Sequence, residues 1–429
     1  MQALPYLRGS SGLAADCIRV LSNPPTSSEP IFPNLRIVGL HEPSETIVPL
    51  LRHLAPPKLT DISLEDVVNL GTAIEAFTKC PIVTELRVSQ WASVDALSGL
   101  ICRWKNLRSA NCYDVGFNIE VLSHLSTLRN LLSLSFNVYD TMVDRISTSQ
   151  SPASTLRFAT LRDLHLTSNS LTSIWRLLRL LCVPQVHALS IRLHVGPAAP
   201  DLMAFFIALQ GACTHDSKLS LHIYTHYESS IIRWQGASPF YITLDLLRPL
   251  TVFVNIKAIT LDIPCGADLN ECELLCLASS WPNLEMFVVG KDYDWKESSS
   301  ITPEGFLQLM ERCRSLRIFF FMFNTRGYTE IPQGHPWRGL TMPQGAYINV
   351  LHSPIGEESV EALGVFFHVA SHPIFSLRSH WNYNYFRGSQ QPQELCDLYY
   401  DRWSRVRSIA RDLWKAKRDL KYSLEDRSS

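Results

Sequence analysis

The sequence predicts an α/β repeat solenoid, in which short parallel strands alternate with return helices. Three observations carry that expectation. A short apolar phrase returns every 24 residues over residues 32–136. The stretches between its copies space their apolar residues as helices do. No early strand is followed by the glycine-rich phosphate turn that a doubly wound α/β enzyme would need.

The phrase is L-x-x-L-x-L. "FPNLRIVGL" places Leu35, Val38 and Leu40 at its apolar positions. "PPKLTDISL" then places Leu59, Ile62 and Leu64, and "CPIVTELRV" places Val83, Leu86 and Val88. Leu107, Ala110 and Cys112 follow, then Leu131, Leu134 and Phe136. Later copies are more loosely spaced, at Leu161, Val186, Ile256, Leu284 and Leu316, with a degenerate one in "KLSLHIYTH" at 218–226. A period in the twenties with this phrase is the leucine-rich-repeat signature. One strand-plus-helix coil cannot bury its apolar side alone, so coils must stack. The expected architecture is a horseshoe with a curved parallel sheet inside and helices outside.

Helices are expected at 46–54, 94–104, 119–128, 172–181, 201–213, 271–281 and 303–313, where apolar residues recur at three and four. The repeat array is expected over 31–390, behind an N-terminal cap or remnant linker at 1–30. Ser- and Thr-rich residues near 140–155 read as a surface loop. Further insertions fall near 225–243 and 324–345, and the last is dense in Gly, Pro and aromatics. From 394 to 424 an amphipathic basic helix is expected, as a cap on the open end or as a docking element.

Composition bounds the class. Apolar residues make up 46% and charged residues 18%, values of a folded chain, and the net charge of −1 gives no pull toward nucleic acid or anionic lipid. Apolar runs fall well short of the ~20 residues that cross a bilayer, and the N-terminus lacks a signal-peptide plan. Eleven cysteines without a CxxC pair, and no Asn-x-Ser/Thr sequon, favour a reducing compartment, cytoplasmic or nuclear.

No catalytic or cofactor motif is present, so neither an enzyme nor a bound cofactor or metal is expected. His222 and His226 lie on a strand, where their spacing does not converge on one metal. Cys272 and Cys276, with Cys265 nearby, read as buried thiols packing like small hydrophobes.

The surface left for function is the concave one. The third, fifth and seventh positions of each phrase face away from the apolar pair. They are Ile37, Gly39 and His41, then Asp61, Ser63 and Glu65, then Glu85, Arg87 and Ser89, then Ser109, Asn111 and Tyr113. Ser133, Ser135 and Asn137 follow, then Asp163, His165 and Thr167, and Ala188, Ser190 and Arg192. Met286, Val288, Ile318, Phe320 and Met322 turn this wall apolar, with Trp337, Trp381, Tyr383, Tyr385 and Phe386 nearby, so it is either an open binding patch or a surface that 324–345 and "HWNYNYF" fold over and bury. The candidate protein-binding residues are therefore Glu85, Arg87, Tyr113, His165, Arg192, Met286, Val288, Ile318, Phe320 and Met322.

"FPNLRIVGL", "PPKLTDISL" and "WPNLEMFVV", with Pro-Asn/Lys-Leu ahead of the strand, resemble the leucine-rich-repeat region of fungal F-box proteins of the mushroom-forming type. The resemblance covers roughly 30–390. It implies a substrate-recognition subunit of a cullin-type ubiquitin ligase, whose repeats hold a protein substrate. A Skp-type adaptor is implied only if an F-box exists upstream, since none is visible beyond "ALPYL". The alternative is a stand-alone leucine-rich-repeat binding protein, such as an innate-immunity receptor fragment.

Overall fold

A computed structural model describes residues 7–8, 33–41, 57–65, 77–89, 94–149, 155–225, 240–290, 295–296, 299–330, 342–370, 376–381 and 392–428. The chain divides into two compact units, 1–195 with 207–217 and 196–206 with 218–429.

In the first unit, parallel strands β1 (Leu7–Arg8), β2 (Ile37–His41), β3 (Asp61–Glu65), β4 (Glu85–Ser89), β5 (Ser109–Gly116) and β6 (Ser133–Val138) pair in chain order. A short β7 (Leu156–Arg157) and β9 (Leu181–Cys182) form a two-stranded side sheet, while β8 (Asp163–Ser168) and β10 (Ala188–Leu193) extend the main one. Register follows the phrase: Ile37 lies beside Asp61, Asp61 beside Glu85, Glu85 beside Ser109 and Ser109 beside Ser133. The backbone repeats with it. The carbonyls of Arg36, Thr60, Thr84 and Arg108 each accept two N–H groups from the next coil, at 2.7–3.1 Å. Strand alternation buries Ile62, Leu64, Leu86, Val88, Leu134 and Leu164, none more than 2% exposed. This is a leucine-rich-repeat fold of the α/β class.

Helices α1 (Val94–Ile101), α2 (Ile119–Thr127), α3 (Asp140–Ser149), α4 (Leu171–Leu178) and α5 (Ala199–Ala212) return the chain between strands. Asn118 and Ser170 cap α2 and α4 through their side chains, satisfying backbone N–H groups that the first turn leaves unpaired. Trp104, 1% exposed, donates its indole N–H to the Cys80 carbonyl one coil earlier, at 2.8 Å.

In the second unit, β11 (Ser220–Thr225), β13 (Ala258–Asp262), β15 (Met286–Val289), β17 (Ile318–Phe320), β19 (Tyr347–Asn349) and β20 (Ser376–Arg378) form the parallel sheet. Side pairs join β12 (Phe240–Thr243) to β14 (Cys265–Asp268) and β16 (Ser300–Ile301) to β18 (Met322–Phe323). Its helices are α6 (Leu244–Leu247), α7 (Glu271–Ser280), α8 (Pro303–Arg312), α9 (Val360–Ala370) and α10 (Gln393–Ser428). A capping box of Asn270 and Glu273 starts α7, and Thr302 followed by Pro303 starts α8. Phe306, Phe319, Phe321, Phe323 and Phe366 fill the core, with Phe306 and Phe321 stacked at 5.3 Å.

Helix α10 packs on α9 and on the loop after β19. Trp403 and Trp381 both donate indole N–H groups to the Ser353 carbonyl, at 2.8 and 2.9 Å. Arg402 bonds the Ile355 carbonyl and, with Arg405, the Glu357 carboxylate. Gly364 admits the close approach, since a Cβ there would lie 2.5 Å from Ile409 Cγ2.

Several expectations are corrected. Residues 140–149 are helix and not loop: Met142, Val143 and Ile146 form a buried stripe that overrides the weak helix propensity of Ser and Thr. Cys272 and Cys276 are exposed, because Leu274, Leu275, Leu277 and Ala278 turn the opposite side of α7 to the core. Met322 is not on the main sheet: the strand breaks at Phe321, and Met322 pairs with Ser300 in the side sheet, 7% exposed. The helix expected at 46–54, the centres of the insertions near 225–243 and 324–345, most of 1–30, and Trp337, Tyr383, Tyr385, Phe386 and His226 lie outside the described residues.

Candidate protein-binding face

Parallel sheets are normally covered on both faces. In the first unit one face is polar and partly open instead. Strands β3 and β4 alternate buried apolar residues with half-buried or exposed polar ones, at Asp61–Glu65 and Glu85–Ser89. Register lines these residues into columns across the strands, about 4.8 Å apart per step. One column runs Ile37, Asp61, Glu85, Ser109, Ser133, Asp163, Ala188; the next runs Gly39, Ser63, Arg87, Asn111, Ser135, His165, Ser190.

At the start of the columns, Arg87 and Glu85 approach at 3.5 Å with both side chains largely exposed, so water and salt screen the pair. Thr60 donates its hydroxyl to Asp61 at 2.6 Å and holds that carboxylate. Ile37, Gly39, Asp61, Ile62, Ser63, Glu85 and Arg87 line a shallow hollow of about 220 Å³.

Farther along, β5 carries a bulge. Cys112 pairs with Phe136, but the next partner of β6 is Gly116, which sits beside Asn137. Tyr113, Asp114 and Val115 are the extra residues, and such a bulge re-aims side chains. Gly116 is required there, since a Cβ would fall 2.7 Å from the Tyr139 ring. Tyr113, 44% exposed, meets His165 two strands away at 6.5 Å between ring centroids. Ser135 lies on the strand between theirs, fully buried, and among the described residues its hydroxyl has no hydrogen-bond partner. Burial lowers the His165 pKa, and the Asp163 carboxylate partly offsets that. Arg192 is half-buried on β10.

Met286, Ile318 and Phe320, in the second unit, are half-buried on one sheet face. Thr260 donates its hydroxyl to Met286 Sδ at 3.3 Å. Val288 is only 5% exposed, so it and Met322 offer little contact surface, contrary to expectation. Trp381 turns into the core beneath α10 and not onto this face.

The sequence reading missed the residues that complete this ledge. Tyr347 packs on Phe320 at 5.6 Å, Arg378 lies over the Tyr347 ring at 5.9 Å, and His380 meets Phe320 edge-on at 6.2 Å. Buried Asn349 bonds His380 at 2.7 Å. Alternation in "YIN" was the available signal, since Tyr347 and Asn349 flank inward Ile348.

This arrangement supplies hydrogen-bonding groups, charges and aromatic surface for recognition. Among the described residues no group of three or more His, Cys, Asp and Glu is placed to hold a metal ion. No described helix is long and apolar enough to cross a membrane.

No protein-family model and no curated protein matches the chain. Among solved structures it is similar, at 13% identity, to "Plant peptide hormone receptor RGFR1 in complex with RGF2". The alignment covers 72% of this chain and 58% of that one, with a TM-score of 0.20, so the chain spans under two thirds of the receptor's length. The leucine-rich-repeat assignment rests on the chain's own register and not on this likeness.

Proposed function

We propose that the chain is a non-catalytic protein-interaction scaffold that holds a protein partner on the polar face of its repeat sheet. The observation that supports this reading is a parallel sheet with one face left polar and partly open, from Asp61 to Arg192. Its strands are fixed by the backbone ladder, so binding orders little of the receptor itself. Tyrosine and arginine side chains such as Tyr113 and Arg87 are the types that dominate binding energy at interfaces.

Within that reading, the resemblance to fungal F-box leucine-rich-repeat proteins favours a substrate-recognition subunit of a cullin-type ubiquitin ligase. Affinity purification of the product of the whole gene tests both levels. A bound protein retained by the wild type and lost from Tyr113→Ala with Arg87→Ala, both still folded, supports the scaffold. Co-purification of a Skp-type adaptor supports the ligase assignment. Partners indifferent to the double substitution remove the polar face from consideration, and a full-length product without the adaptor removes the ligase role alone.

A further inference from the structure

The hollow at the start of the polar face has a chemistry of its own. Asp61 and Glu85 place two carboxylates on its lining against one guanidinium, Arg87, which leaves one negative charge unmatched. Arg87 lies 3.5 Å from Glu85 in an exposed pair, and among the described residues no cation pairs with Asp61, whose oxygen accepts the Thr60 hydroxyl. That hydroxyl orients the carboxylate without neutralising it. The wall beside it is apolar: Ile37 is 44% exposed, and Gly39, next along its strand face, has no side chain to fill the space. At about 220 Å³ the hollow is many times the ~10–15 Å³ that admits a single water.

A space with an aliphatic wall and one fixed, unmatched carboxylate suits a side chain that is a hydrocarbon stem ending in a charge. Resting on the reading of this face as a protein-binding surface, we infer that the hollow takes one lysine or arginine side chain from an extended segment of the protein partner. Its stem lies against Ile37 and its cation replaces the missing partner of Asp61. Glu85 contributes as a second carboxylate, and because its pair with Arg87 is solvent-exposed, that guanidinium swings aside at little cost.

The test uses the full chain and a phage-displayed library of random peptides about twelve residues long. Peptides selected on the wild type are expected to share a lysine or arginine at one aligned position, and either residue supports the inference. The best peptide is then measured by fluorescence anisotropy against Asp61→Asn and, separately, Glu85→Gln, after melting curves show both variants folded. Replacing the peptide's cation by norleucine should weaken binding about tenfold. Asp61→Asn should weaken the cationic peptide by a similar factor and leave the norleucine peptide unchanged. Selected peptides without a shared basic position, or a loss on Asp61→Asn that persists with norleucine, overturn the inference while leaving the scaffold reading in place. A library yielding no binder at all overturns the scaffold reading for extended segments, and the inference with it.

Discussion

Tyr113 and His165 touch edge to face across an intervening strand, their ring centroids 6.5 Å apart and Ser135 enclosed between their strands. The bulge at residues 113–115 aims the tyrosine there. Because Tyr113 remains 44% exposed, its ring adds little buried support to the fold and stays open for contact. Tyr113→Ala is therefore expected to lower stability by less than about 1 kcal/mol and to weaken partner binding. Thermal melting set beside affinity for a captured partner checks this; a large drop in melting temperature would make the ring structural.

Leu86, at 0% exposure, sits in the stacked interior, whereas Phe320 is half-buried on the sheet face. Leu86→Asp buries an unpaired charge and should cost about 4 kcal/mol or more; Phe320→Asp should cost clearly less. Urea unfolding of the two variants decides it. Equal losses would place Phe320 under cover.

Burial holds His165 and His368 below the ordinary imidazole value of 6.5, and the Lys417 ammonium adds to the effect at His368. Each is easier to protonate unfolded than folded. Their contribution to stability is thus complete above pH 6.5 and is lost as pH falls through the lowered native values. Melting temperature should drop as pH falls below about 6.5, and His165→Gln with His368→Gln should flatten the drop. Parallel curves for variant and wild type would contradict it.

Thiol chemistry should separate by exposure. Cys272 and Cys276 are open to solvent, while burial raises the pKa of Cys80 to about 11 and those of Cys213 and Cys313 to about 12. Maleimide at neutral pH should label the α7 pair in the native protein and reach the buried three only in denaturant. Peptide mapping after a short pulse reads out which sites react.

Trp403, 3% exposed, anchors α10 through the Ser353 carbonyl. Trp403→Ala should cost about 3–5 kcal/mol. Glu357→Gln, which loosens only the solvent-facing carboxylate's pairs to Arg402 and Arg405, should change stability far less and lose even that effect in high salt. Guanidinium-free urea melts at two salt concentrations distinguish the two contributions.

Much of this architecture was legible from Leu35 to Phe136, because a strand whose alternate residues must be buried writes that need into the sequence at fixed intervals. Asn118, Ser170 and Asn270 cap their helices, a local signal that the helical spacing alone did not need. Tertiary decisions were not legible. Helix α3 exists because Val143 and Ile146 find a core, although its Ser and Thr content argues for loop. Both Cys272 and Leu274 sit in one apolar run, and only packing chooses which side turns inward. At the candidate site the columns from Asp61 to Arg192 followed from alternation, but the bulge that turns Tyr113 toward His165 depends on Gly116 lying under Tyr139. Nothing within the 24-residue phrase encodes that contact.

Each of the carbonyls of Arg36, Thr60 and Thr84 receives the same two N–H groups from its follower. Were the segment from Thr60 to Val83 excised, Thr84 would meet Arg36 with the groups Thr60 presents now, and duplication of that segment would close equally well. A gene for such a chain can therefore lengthen or shorten by whole coils, carrying Asp61- or Arg87-like positions into new neighbourhoods while these carbonyls keep their two N–H partners.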